Sequence, residues 1–165
     1  MRCKSIWEDL PYAFASHFAP GMLEQALVTY RTTFRPSKWL EKPYFMMGIG
    51  ACAAETNEEA EYLRSSQIQS FVNLRTGKPG KLPKPIENIN EHIPATLLSA
   101  VNESLSCSAT GSPETVYEKF NALISKYKPD EIIISSAIHS QPARLKSYSI
   151  VANILANLSS KSEAA

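Results

Sequence analysis

The sequence predicts an α/β fold built on a parallel sheet, and three observations lead there. The stretch Asp130 to Ile138, DEIIISSAI, carries Ile132, Ile133 and Ile134 on consecutive positions, the pattern expected of a strand covered on both faces. A helical pattern precedes it and another follows it. Earlier strand-like runs also alternate with helical ones, an order that favours parallel pairing through right-handed crossovers.

Taken in order, Leu10 to Ser16, LPYAFAS, is a short apolar and aromatic run that ends at the polar pair Ser16-His17 and reads as the first strand. Ala19-Pro20-Gly21 opens a helix with Leu23, Ala26, Leu27, Tyr30 and Phe34 on one side, and Arg35-Pro36-Ser37 ends it. Tyr44 to Ala54, YFMMGIGACAA, is small and apolar, as expected of a strand packed closely by its neighbours. Thr56 and Glu59 form a capping box at the start of the next helix. Its inner positions are Ala60, Leu63, Gln67, Phe71 and Leu74, and Gly77 supplies the stop.

Gly77 to Pro94 holds Pro79, Pro83, Pro85 and Pro94, so no regular element is expected there. An excursion of this kind inside an α/β domain often covers a site. Leu97, Leu98, Val101 and Leu105 mark a short helix that leads to Cys107-Ser108-Ala109-Thr110. At Gly111-Ser112-Pro113-Glu114 a helix starts: the Ser112 hydroxyl accepts from a free N–H, Pro113 suits the first helical position, and Glu114 complements the dipole. Val116, Phe120, Leu123, Ile124 and Tyr127 form its inner face, and Pro129 closes it. Beyond the isoleucine strand, Gln141-Pro142 opens a helix whose inner face is expected at Leu145, Tyr148, Val151, Ile154, Leu155 and Leu158. The polar tail 159–165 is expected to fray.

Composition narrows the function classes. With 165 residues, 44% hydrophobic and 20% charged, the chain has the size and balance of one soluble domain with a substantial core. A formal net charge of +1 with no Lys/Arg stripe gives no nucleic-acid footprint. No apolar run of about twenty residues is present to span a bilayer. The start MRCKSIWEDLP lacks the apolar centre of a signal peptide, which makes a cytoplasmic location the expectation. Cys3, Cys52 and Cys107 are odd in number and widely spaced, against a disulfide framework and against zinc. Cys52, inside an apolar run, reads as a small hydrophobe.

Four separated stretches carry a resemblance in the same order: LPYAFASHFAP (Leu10 to Pro20), ACAAETNEEA (Ala51 to Ala60), GSPETV (Gly111 to Val116) and EIIISSAIHSQPARLKSYSIVANIL (Glu131 to Leu155). Together they resemble the C-terminal half of the bacterial luciferase-like flavin-dependent monooxygenases, over roughly Leu10 to Leu158. The resemblance implies a (β/α)₈ barrel that binds reduced FMN at the carboxyl ends of its strands and activates molecular oxygen. It makes LPYAFAS strand six, FMMGIGACAA strand seven and EIIISSAI strand eight. It makes 77–106 the variable insertion, comprising a loop and a short helix.

Strands one to five would precede Leu10, where nine residues stand. The expectation is therefore a single truncated barrel domain over 1–165, with about three parallel strands and without the segments to which the family assigns the flavin phosphate and a histidine used in the chemistry. Three strands leave edges and apolar helix sides open. Such a chain is expected to form a homo-oligomer or to associate with the missing N-terminal half. Flavin and a small-molecule substrate would join it once complemented; neither nucleic acid nor membrane is expected as a partner.

The cofactor-binding candidates are Ser16 and His17. They end the first strand, and the resemblance places this position beside the flavin ring. The alternative is that His17 bonds a nearby carbonyl and simply terminates the strand. Cys52 and Ala53 either leave room for a ring or serve packing. His139 and Arg144 either bind an anion or lie along the surface. His92 reads as solvated, and Glu58, Glu59 and Glu61 as the acidic first turns of a helix instead of paired catalytic carboxylates. No catalytic residue is assigned and no metal is expected. Two functions follow: part of an FMN-dependent monooxygenase that needs complementation, or a non-catalytic truncated chain, oligomerising or flavin-binding, of the same family.

Overall fold

The computed structural model describes residues 10–163, and the side chains of 10–158. Cys3 and the rest of the N-terminal segment MRCKSIWED therefore lie outside the described residues. The strands are β1 (Tyr12–Phe14), β2 (Phe45–Ala53), β3 (Ser108–Gly111) and β4 (Glu131–Ser135). The helices are α1 (Leu23–Thr33), α2 (Asn57–Arg75), α3 (Ile89–His92), α4 (Ala95–Ser104), α5 (Pro113–Tyr127) and α6 (Gln141–Glu163). A 3-10 turn over Pro20–Met22 leads into α1.

All strand pairs are parallel and all include β2. β1 pairs at Tyr12↔Phe45 through Phe14↔Met47, β3 at Gly50↔Ser108 through Ala53↔Gly111, and β4 at Met46↔Glu131 through Gly50↔Ser135. The backbone groups of the even residues of β2 and its flanks turn to one edge: Tyr44 and Gly48 accept from Tyr12 and His17, and Gly50 donates to Cys107. On the other edge Phe45 accepts from Asp130. Hence β1 and β3 follow one another along one edge of β2, and β4 has the opposite edge.

The two sheet faces differ. Phe45, Met47, Ile49, Ala51 and Ala53 point into the main core with Leu23, Leu27 and Tyr30 of α1, Val116, Phe120 and Leu123 of α5, and Val151 and Ile154 of α6. On the opposite face stand Met46, Gly48, Gly50 and Cys52, in register with Glu131, Ile133 and Ser135 of β4. Only its carboxyl end is roofed: Cys52 is buried with Ala60 and Leu63 of α2 and with Ile138. Behind α2, Ile68 packs with Ile93, Val101 and Leu105 in a separate cluster.

The local signals act as their chemistry requires. Thr56 accepts from Glu59 N–H at 3.2 Å, although the Glu59 carboxylate reaches the Glu55 N–H instead of that of Thr56. Gly77 takes a φ of 74°, where a side chain would be strained, and Lys78 N–H closes on the Asn73 carbonyl at 2.7 Å to end α2. Ser112 caps α5 through Thr115 N–H.

Several sequence expectations are corrected. The described residues form four strands, not three: β3 escaped notice because four small residues, Ser-Ala-Thr-Gly, form no apolar run. β1 is shorter than Leu10 to Ser16, and Leu10 is exposed. β4 is not covered on both faces; Ile133 is 46% exposed, because no layer among the described residues lies over the Gly48 face at that level. In α2, Leu74 is exposed and Ile68 is buried. The inner face of α6 excludes Leu145 and Tyr148, which are exposed, and includes Ser147, fully buried. The span Gly77 to Pro94 contains the short helix α3.

Candidate functional site at the carboxyl ends of the strands

β1 stops at Phe14 and the chain turns tightly, Ser16 N–H donating to the Phe14 carbonyl at 2.9 Å and Phe18 N–H to that of Ala15 at 2.9 Å. The turn is fastened to β2 at one atom. The Gly48 carbonyl accepts from the buried Ser16 hydroxyl and from His17 N–H at 3.2 Å. This fills the gap along that edge between β1 and β3, and it sets the direction of the His17 side chain.

The imidazole lies on Gly48 of β2, with the His17 β-carbon beside Gly50. A β-carbon at Gly48 would stand 2.8 Å from His17 Nδ1, and one at Gly50 would stand 3.7 Å from His17 Cβ and 3.1 Å from Ser108 Cβ. Glycine at both positions is what lets these side chains approach the strand so closely. His17 Nδ1 and Ser108 Oγ are both buried and both lack a hydrogen-bond partner. A buried polar atom without a partner costs about 1–3 kcal/mol, so such atoms need a reason. Here two of them flank the same glycine, with Ser135 of β4 in register on the other side.

The remaining candidates separate. Cys52 shares the glycine face but is closed off: its thiol donates to the Ala60 carbonyl at 3.4 Å, and burial pushes its pKa up to about 12. It packs as a small hydrophobe, as its surroundings in the sequence suggest. Ala53 faces the core and donates its N–H to Ser147 Oγ at 2.9 Å. His139 is exposed in the turn after β4, and Arg144 is half-buried near the start of α6, its N–H held by the Ser140 carbonyl. His92 is exposed at the end of α3. Glu58, Glu59 and Glu61 are exposed on the first turns of α2, where Glu59 caps and Glu61 pairs with Arg64 at 3.3 Å. Among the described residues no group of three His, Cys, Asp or Glu side chains could hold a metal ion, and no helix is long and apolar enough to cross a membrane.

Sequence reasoning missed Ser108, because the strand that carries it went unread. The alternation in Ser108-Ala109-Thr110 was its available signal: Ala109 is buried in the core and the two hydroxyl residues lie on the glycine face.

A parallel sheet with α1, α5 and α6 packed on one face, and α2 over the carboxyl end of the other, defines an α/β protein. No family model matches the sequence. A luciferase-like monooxygenase of Escherichia coli (strain K12) is 41% identical over 145 residues, covering 88% of this chain and 43% of that protein. YvbT of Bacillus subtilis (strain 168) is 37% identical over 148 residues, covering 90% and 44%. The crystal structure of apo-MsnO8 superposes with a TM-score of 0.79 at 27% identity, covering 90% of this chain and 45% of that one. The monooxygenase RslO1 from Streptomyces bottropensis shares the fold, with a TM-score of 0.53 at 14% identity, over 89% of this chain and 41% of that one. The chain belongs to the luciferase-like monooxygenase family, and it spans somewhat under half the length of the relatives it matches.

Proposed function

We propose that the chain is the C-terminal part of a luciferase-like monooxygenase that uses reduced FMN and molecular oxygen, and that it acts only together with the rest of a (β/α)₈ barrel. The observation that carries this reading is the His17 imidazole laid on Gly48, with its Nδ1 buried and unpartnered, beyond the end of β1. Glycine at positions 48 and 50 lets the His17 and Ser108 side chains lie close against the strand, and the unpartnered His17 Nδ1 is the polar atom of this turn that a flavin edge would meet. Ser16 acts as a positioning residue, holding the turn on the Gly48 carbonyl. Reduced flavin, when bound, supplies the electrons that activate oxygen. The chain's part is to seat and orient the ring, and the α2 roof over Cys52 keeps water from that end of the sheet.

The need for a complement rests on the uncovered face. Ile133 and Ala13 are exposed beside Met46, and the family relatives are more than twice as long as the stretch they share with this chain. Among the described residues nothing covers this apolar part of the sheet face, which suits docking of the rest of the barrel. Under this reading the phosphate contacts come from the part of the barrel that the chain does not contain.

The test is a titration of FMN against the size-fractionated chain, followed by quenching of flavin fluorescence, with riboflavin as the phosphate-free control. It is run with and without the N-terminal part of the E. coli relative. Saturable FMN binding that appears on complementation and weakens in His17→Ala is expected. Failure of the complemented, folded assembly to bind FMN would leave the non-catalytic alternative, a truncated chain that keeps the scaffold alone.

A further inference from the structure

A second polar pocket, of about 290 Å³, lies between α2, α4, β3 and α5, and the flavin reading leaves it unused. We propose that it binds a small oxyanion, the phosphate, sulfate or carboxylate group of a ligand, through Arg64, Lys119 and the hydroxyls of Ser108, Thr110 and Thr115. The residues that line it include two cations and no carboxylate. In a mixed-charge chain of net charge +1, that segregation makes the pocket locally positive.

Arg64 is the anchor. Its side chain is only 16% exposed, and its guanidinium is fixed from two directions: Nη2 donates to Asn102 Oδ1 at 2.8 Å and Nη1 to Glu61 at 3.3 Å. Nε remains buried and without a partner. A guanidinium held in this way presents its Nε–H in a fixed direction, and an oxyanion is the acceptor that offsets burying it. Glu61, which offsets part of the Arg64 charge, is not among the lining residues. Ser108 Oγ is the second unpartnered buried atom in the same lining. It has no hydrogen bond to give up on turning toward a ligand. Thr110 follows on the same face of β3, and Thr115 and Lys119, one turn apart on α5, close the outer side.

The site does not depend on the flavin proposal, since its probes carry no ring. The test is a titration of the chain with inorganic phosphate, sulfate and acetate in separate arms. Ionic strength is held constant with sodium chloride, and ¹H–¹⁵N spectra follow the Arg64 Nε–H and the amides of Ser108, Thr110 and Thr115. Saturable shifts of these signals are expected, strongest for whichever oxyanion class the pocket prefers. Lys119→Gln is expected to weaken binding about tenfold, the loss of one charge-assisted hydrogen bond. Thr115→Val, also at an exposed position, provides a second variant, and the spectrum of each variant reports its fold directly. Shifts that fail to saturate, that chloride reproduces, or that survive both substitutions would overturn the assignment.

Discussion

His17 Nδ1 lies 2.8 Å from the point where a β-carbon of Gly48 would be, so the histidine ring and the glycine backbone are in direct contact across the seam between β1 and β2. Alanine at position 48 cannot coexist with the present place of the imidazole. We expect Gly48→Ala to lower stability by about 1–3 kcal/mol, the usual cost of overpacking. The double variant Gly48→Ala, His17→Ala should recover much of that loss. Urea unfolding of the four proteins of the cycle measures the coupling, and strictly additive losses would show that the ring and the glycine are energetically independent.

Ser147 is fully buried on α6 and its hydroxyl accepts from Ala53 N–H at the end of β2. Ser147→Ala leaves that N–H without an acceptor in a place water does not reach. A loss of about 1–3 kcal/mol is expected. Ser147→Thr keeps the acceptor and separates the hydrogen bond from the fit of the added methyl. Chemical unfolding, with amide exchange at Ala53 as the local readout, checks both.

Cys52 and Cys107 are buried and free, and burial is the leading cause that raises both thiol pKa values, to about 12 for Cys52. Since the thiolate is the reactive form, neither should be alkylated appreciably at pH 8 while the chain is folded. Iodoacetamide labelling read by peptide mass spectrometry, with and without urea, decides this. Rapid native labelling at Cys52 would mean that α2 lifts away from the sheet.

Among the described residues, Glu24, Glu55 and Glu114 hold their protons less tightly than usual. Glu24 is lowered first by its hydrogen bond to Lys126, Glu55 by its hydrogen bond to Lys146, and Glu114 by its own backbone N–H and then by the Ser112 hydroxyl. A folded pKa below the unfolded one contributes stability that is present above the unfolded value, about 4.3, and is lost as pH falls through the folded value. All three are solvent-exposed, so each effect is small. The combined variant Glu24→Gln, Glu55→Gln, Glu114→Gln should show a shallower fall in urea midpoint from about pH 5 downward. An unchanged slope would place the acid sensitivity elsewhere.

The elements legible in the sequence were those whose signals are local and repeated. The spacing of Val116, Phe120, Leu123 and Tyr127, the Ser112-Pro113 start and the Thr56 cap all act within one turn, and the structure contains them as read. What went unread depends on partners distant in the chain. β3 is a strand only because β2 runs on past Gly50 and offers it an edge. Ser147, not Leu145 or Tyr148, faces inward because the N–H of Ala53 sits opposite it. The candidate site divides in the same way. Ser16 and His17 could be named from the end of a strand pattern, whereas Ser108 and the Arg64 pocket exist only where distant segments meet.

The sequence by itself determined the alternation of helices and parallel strands, the caps that bound them and the family to which the chain belongs, because hydrophobic period, capping chemistry and motif order are properties of neighbouring residues. The tertiary structure alone sets which face of the sheet holds the core and which lies open at Ile133, lays an imidazole on Gly48, and fixes Arg64 with its buried Nε left without a partner. Those outcomes depend on which atoms are brought into contact across long loops, and no local preference along the chain encodes that distance.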